Sequence, residues 1–149
     1  MCDTIGVGYF GPQLLTKQGL KPTAEVLGKA KKFAIYFSAH WCPPCRGFTP
    51  VLSEFYTDMV ASTTDVEIIF VSSDSDESSF NEYYGSMPWV SLPFKESSFK
   101  EKLASQFGIR GIPALIVVNA DGTVADANGR NTVTAAKGDV SAVLKTWGL

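Results

Sequence analysis

Two apolar runs, "KKFAIYFSA" at 31–39 and "VEIIFVSS" at 66–73, do most to limit what this chain can become. Neither alternates with polar residues, so each reads as a strand buried on both faces, a pattern that belongs to a sheet covered by helices on both sides. Between them, "PCRGFTPVLSEFYTDMVAS" places Phe48, Val51, Leu52, Phe55 and Met59 at helical spacing, with Pro50 expected to bend the helix. A strand, a helix and a second strand in that order imply parallel pairing. Further on, "SDESSFNEYYGSM" predicts a helix capped near Asp74 or Ser75, and "SSFKEKLASQFGI" another after a "MPWVSLPF" loop. "IPALIVVNADGTVADANG" then reads as a hairpin turning at Asp121-Gly122, and "GDVSAVLKTWGL" as a closing helix packing Val140, Val143, Leu144 and Trp147. The opening residues, broken by Gly6, Gly8, Gly11, Pro12, Gly19 and Pro22, predict an irregular start with one short strand near Leu14 and Leu15. The sum is an α/β fold, a mixed central sheet between helices.

At 149 residues the chain fits a single domain, 1–149, large enough to bury a core without staples. With 13 basic and 15 acidic residues, a net charge of -2 leaves no electrostatic footprint for nucleic acid, and no window spans a membrane. The start, "MCDTIGVGYFGPQLL", lacks a basic region followed by an apolar run, so the expected address is a reducing compartment, the cytoplasm. There, neighbouring cysteines point to catalysis or metal rather than to a structural staple. A monomer is the default for so small a chain.

The cysteines stand in "SAHWCPPCRGF", residues 38–48, where the first strand hands over to the helix. Unpaired N–H groups at a helix start favour an anion, so Cys42 is the attacking thiol, as its thiolate. Cys45, one turn further in, is placed to resolve a mixed disulfide; a redox-active Cys42–Cys45 pair then needs no bound cofactor. Pro43 and Pro44 fix the backbone between the sulfurs. A closed zinc site needs four ligands, and three cysteines with one histidine would all have to converge on one C-x-x-C. Metal is the weaker reading.

In "GIRGIPAL", Pro113 opens an apolar strand. Such a proline is ordinarily a turn residue after a trans bond; were Ile112–Pro113 cis and beside the cysteines, it would expose a backbone edge for an extended substrate chain.

These features together resemble the thioredoxin superfamily, and "YFSAHWCPPCRGFTPVLSEFY" followed by "MPWVSLPF" resembles tryparedoxins and nucleoredoxin-like proteins in particular. The resemblance covers nearly the whole chain. It implies a thioredoxin fold, Cys42 as nucleophile, Cys45 as resolving thiol and Pro113 as a cis-proline. It implies a protein-disulfide reductase that passes electrons from a dithiol such as trypanothione, a glutathione–spermidine conjugate, to protein disulfides such as peroxiredoxin-type peroxidases. Thioredoxins proper carry a buried acid six positions before the first cysteine, where this chain has Tyr36. Tryparedoxins usually carry a tryptophan where this chain has Ser73, before Asp74, which leans toward the nucleoredoxin-like branch and its alternative role, a redox-regulated protein-binding module.

By the same resemblance Trp41 flanks the disulfide as a hydrophobic contact for partners, with Pro43, Ile112 and Pro113 beside it. Trp89 either lines that face or packs in the core, and Arg130 aligns with a tryparedoxin arginine near the active site or is an ordinary solvated side chain. His40 is expected to tune the thiolate slightly, Cys2 to be a free thiol, and Asp74, Asp76 and Glu77 to cap a helix or to face solvent, with a place near the active site as the alternative for Asp74.

Overall fold

The computed structural model describes residues 9–28, 30–63 and 65–149, so Cys2, Gly6 and Gly8 lie outside the described residues. A hairpin of β1 (Gln13–Thr16) and β2 (Gly19–Pro22) leads into a short helix, α1 (Thr23–Leu27). Then come β3 (Lys32–Ser38), α2 (Pro43–Val60), β4 (Val66–Ser72), α3 (Glu77–Tyr84), β5 (Val90–Ser91) and α4 (Ser97–Gln106). The chain closes with β6 (Ala114–Asn119), β7 (Val124–Asp126), α5 (Gly129–Ala136) and α6 (Val140–Thr146). Among the described residues the strands form one sheet in the order β2-β1-β5-β4-β3-β6-β7. β3, β4 and β5 run parallel, and β6 and β7 close one edge antiparallel, as the strand–helix–strand order and the late hairpin imply.

The apolar runs earn their central place by filling both faces. On β3, Ala34 and Tyr36 point into one core layer with Leu52 and Phe55 of α2, while Phe33, Ile35 and Phe37 point into the other with Leu27 of α1 and Leu103 of α4. All of these side chains are buried. Removing each large one from water contributes about 1.5–3 kcal/mol, which outweighs any local preference of so β-rich a segment. Among the described residues no helix is long and apolar enough to cross a membrane.

Five elements differ from the sequence expectation. The irregular start contains a full hairpin and α1; Leu14 and Leu15 do lie in a strand, but β2 follows through Gly19, whose φ of +101° only glycine adopts freely. Leu20 is exposed on that edge, so no buried pattern marked it. The expected loop around Trp89 holds β5, two residues paired to β4 and too short to show a period. Helix α5 follows the predicted hairpin, in a stretch for which the sequence predicts no element. "GRNTVTAA" is rich in poor helix formers, yet Val133 is buried against the α2 layer and Thr132 Oγ1 donates to Asp126 Oδ2 at 2.6 Å. Helix α3 starts later than expected: Asp76, not Asp74 or Ser75, caps it by accepting from Ser79 N–H at 3.0 Å. At Pro50 one backbone donor is missing, and α2 continues through it.

Candidate active site

The strand β3 ends at Ser38, and four residues later Cys42 caps α2 in an extended conformation (φ −95°, ψ 109°). Its Sγ accepts from Cys45 N–H at 3.4 Å, so a first-turn donor of the helix points at the sulfur. Pro43 and Pro44, which have no N–H to leave unpaired, form the first turn and are exposed. Cys42 is only 5% exposed and Cys45 not at all, and both are free thiols. Burial, and then the hydrogen bond with Cys42, push the Cys45 thiol up to about 11; a hydrogen bond from Ser38 partly opposes them. The inner cysteine is therefore held as a thiol at neutral pH.

The Ile112–Pro113 bond is cis, and Cys42 Sγ lies 3.9 Å from the Ile112 carbonyl oxygen. Ile112 packs on Ala39, Cys42 and Cys45, and Pro113 is buried behind it. Trp41 stands on the other side of Cys42, 61% exposed, its Nε1–H donating to the Ser73 carbonyl at 3.2 Å. Position 73 thus supports Trp41 through its backbone.

The structure separates the remaining candidates. Trp89 is a core residue, 1% exposed and edge-on to the Tyr36 and Tyr56 rings, so its expected place on the substrate face is corrected. Its chain neighbours Pro88 and Val90 are both apolar, and nothing in a "MPW" triplet separates that setting from a surface one. Arg130 is exposed in the first turn of α5, and no hydrogen bond among the described residues ties it to either cysteine. The His40 ring lies edge-on to Tyr83, 5.7 Å between centroids.

Asp74 is neither a cap nor a solvated charge. It is 3% exposed; Oδ1 accepts from His40 N–H at 2.8 Å and Oδ2 from the Ser72 hydroxyl at 2.7 Å. The buried carboxylate fixes the turn that presents Trp41 and Cys42. Asp74→Ala is expected to cost about 2–3 kcal/mol in urea denaturation, because it strands a buried N–H and hydroxyl, and Asp74→Asn to recover part of that through its remaining carbonyl oxygen.

Under Cys45, Tyr36 is joined by three residues that the sequence does not single out, Ser38, Thr49 and Tyr83, and all four are buried. Their hydroxyls join in a chain, Tyr36 to Thr49 at 2.7 Å, Thr49 to Tyr83 at 2.6 Å and Tyr83 to Ser38 at 2.7 Å. A signal existed: Ser38 ends a strand buried from Phe33 onward, and Thr49 follows Phe48 on the apolar stripe of α2. Polar residues at such positions must find partners inside the protein.

The arrangement suits thiol chemistry, with an outer sulfur at a helix start and a protonated sulfur one turn beneath. A family model described as Thioredoxin-like matches residues 29–124. The chain is 47% identical over 108 residues to tryparedoxin from Trypanosoma brucei brucei, covering 72% of this chain and 73% of that protein. It is 46% identical over 96 residues to nucleoredoxin from Mus musculus, covering 64% of this chain but only 22% of that longer protein. The structure matches that of tryparedoxin II complexed with glutathionylspermidine with a TM-score of 0.79 at 34% identity, covering 87% of this chain and 92% of that one. Cysteines at a strand-to-helix junction and a chain-wide match to proteins built the same way agree: the chain belongs to the thioredoxin-like family, as a tryparedoxin-like thiol oxidoreductase.

Proposed function

We propose that the protein is a dithiol–disulfide exchange enzyme that carries electrons from a low-molecular-mass dithiol of the trypanothione type to protein disulfides such as those of peroxiredoxin-type peroxidases. The pairing of Cys42 at the α2 start with a buried, protonated Cys45 one turn below carries the reading. Cys42, as its thiolate, attacks a partner disulfide; one partner sulfur leaves, and a mixed disulfide forms. Cys45 then loses its proton and attacks Cys42 Sγ, the second partner sulfur leaves, and the Cys42–Cys45 disulfide remains for the dithiol to reduce. Trp41, Pro43 and Ile112 form the contact surface around Cys42, Pro113 lies behind Ile112 and sets the cis bond that brings the Ile112 carbonyl to Cys42, and Arg130 is the candidate for an acidic group of the substrate. The donor assignment is supported by a similar tryparedoxin having been seen with glutathionylspermidine. The protein works as a monomer in the cytoplasm.

A second reading, a nucleoredoxin-like binding module, is favoured by Ser73 and by the match to nucleoredoxin. The deciding experiment offers the oxidised protein trypanothione, glutathione, and thioredoxin reductase with NADPH side by side, following the return of free thiols. Fast reduction by trypanothione alone is the expected result. Inert trypanothione would leave the nucleoredoxin-like reading standing.

A further inference from the structure

Cys45 must reach Cys42 Sγ to release a partner, so whatever holds Cys45 in place bears on turnover. Its main chain is gripped at both ends. The N–H donates to Cys42 Sγ at 3.4 Å, and the carbonyl accepts from Thr49 Oγ1 at 3.0 Å, with the Tyr36 hydroxyl beside it at 3.4 Å. This grip falls where α2 is weakest. Pro50 offers no N–H to the Arg46 carbonyl four positions back, and its ring crowds that turn, so the ladder is one bond short immediately behind the cysteines.

A threonine bonded to the carbonyl four residues earlier is common on helices and by itself means little. Thr57 and Thr146 make the same bond in this chain, to Ser53 and Ala142 at 3.0 Å each, and both bonds are exposed. Thr49 differs in being buried, 4% exposed, and in having no freedom left. A hydroxyl donates once and accepts up to twice. With its hydrogen on the Cys45 carbonyl, Thr49 accepts from Tyr83 at 2.6 Å and from Tyr36 at 2.7 Å, which fills every position it has. Ser38 in turn donates to Tyr83 at 2.7 Å. Tyr36 comes from β3 and Tyr83 from α3, so the sheet and a second helix together fix the direction of one hydroxyl on α2.

We propose that Thr49 is the positioning residue of the resolving thiol: pinned by Tyr36 and Tyr83, its hydroxyl holds the Cys45 carbonyl and keeps Cys45 within reach of Cys42 across the break in the α2 ladder. Thr49 acts through the main chain of Cys45 rather than on either sulfur. It raises the effective concentration of one sulfur at the other, which favours both the rate of resolution and the formation of the Cys42–Cys45 disulfide. The attack of Cys42 on a partner does not depend on it, because Cys42 is placed by the helix start and by its own N–H on the Ala39 carbonyl at 3.2 Å.

The proposal rests on the exchange reading above, and one set of measurements separates the two. Reduced protein carrying Cys2→Ser, so that only the pair reacts, is mixed rapidly with 5,5′-dithiobis(2-nitrobenzoate). The first thiolate released reports attack by Cys42 and the second reports resolution by Cys45. The same protein is equilibrated with reduced and oxidised dithiothreitol, and the fraction carrying the disulfide is read by alkylation. Thr49→Val keeps the shape of the side chain and removes the hydroxyl. Its first phase is expected to stay within about twofold of the parent, its second to slow roughly 10-fold, and its equilibrium to move roughly 10-fold toward the dithiol, the factor that one buried hydrogen bond carries. Thr49→Ser, which restores the hydroxyl, is expected to return both. A second phase and an equilibrium in Thr49→Val equal to those of the parent overturn the proposal, as does a loss that falls equally on both phases or that serine fails to repair. If Thr49→Val does not fold, Tyr83→Phe removes one of the two pins and is expected to slow the second phase alone, by a smaller factor; an unchanged second phase there overturns the proposal as well. If the parent releases only one thiolate, or Cys45→Ser releases two, the exchange reading itself fails.

Discussion

Cys45→Ser is expected to leave the protein covalently joined to its disulfide partner and unable to turn over. The first attack needs only Cys42, whose Sγ sits at the α2 start beside the Cys45 N–H, and a serine keeps that N–H in place. The second needs a sulfur nucleophile one turn below, which a serine hydroxyl does not supply at neutral pH. In the absence of added small thiols, a non-reducing gel should show a stable adduct with a protein disulfide substrate, and cleavage by dithiothreitol should return both components. Cys42→Ser should give no adduct at all, because Cys45 is fully buried and held as a thiol with its pKa pushed up to about 11. Equal adduct yields from both variants would mean that the roles of the two cysteines are wrongly assigned.

Phe70→Ala is expected to produce the largest loss of stability of any single truncation. Phe70 lies in the middle of β4, fully buried, and its ring stacks on Phe80 at 5.8 Å and Tyr84 at 6.4 Å. It also meets Tyr83 edge-on at 5.6 Å and Tyr36 at 6.1 Å. Emptying that space costs about 3–5 kcal/mol by the usual cavity and transfer terms. A domain of this size has roughly 5–15 kcal/mol in all, so the melting temperature should fall by about 10 °C or more. Tyr83 and Tyr36 lean on the same ring, so the hydroxyl chain under Cys45 should loosen with it. Thermal denaturation checks the loss of stability. A loss below about 1 kcal/mol would mean that the neighbouring rings close the gap, contrary to the tight packing of these aromatics.

The two halves of the chemistry were unequally legible. Cys42 and Cys45 could be assigned to their roles because the motif sits at a junction that sequence patterns mark well, an apolar run giving way to helical spacing. Position within the first turn then decides which sulfur meets the helix N–H groups and which is buried. Trp89 could not be assigned, since a tryptophan between a proline and a strand of two residues carries no period to say which way it points. Asp74 was half legible: acidic residues ahead of a helix usually cap it, and the alternative place near the active site holds only because the His40 turn comes close to the end of β4 and makes this residue a buried brace. Helix α5 was missed because its β-branched residues argue against a helix, and the burial of Val133 that overrides them comes from α2, more than seventy positions earlier in the chain.

By itself, then, the sequence determined the parallel β3–α2–β4 unit and the site of the attacking thiol, since both follow from local periodicity and from the free N–H groups of one helix start. Only the tertiary structure decided what surrounds the second thiol. Ser38, Thr49 and Tyr83 come from a strand and two different helices, 11 and 34 residues apart in successive steps, and their hydroxyls have no reason to meet except that β3, α2 and α3 pack around one buried cysteine.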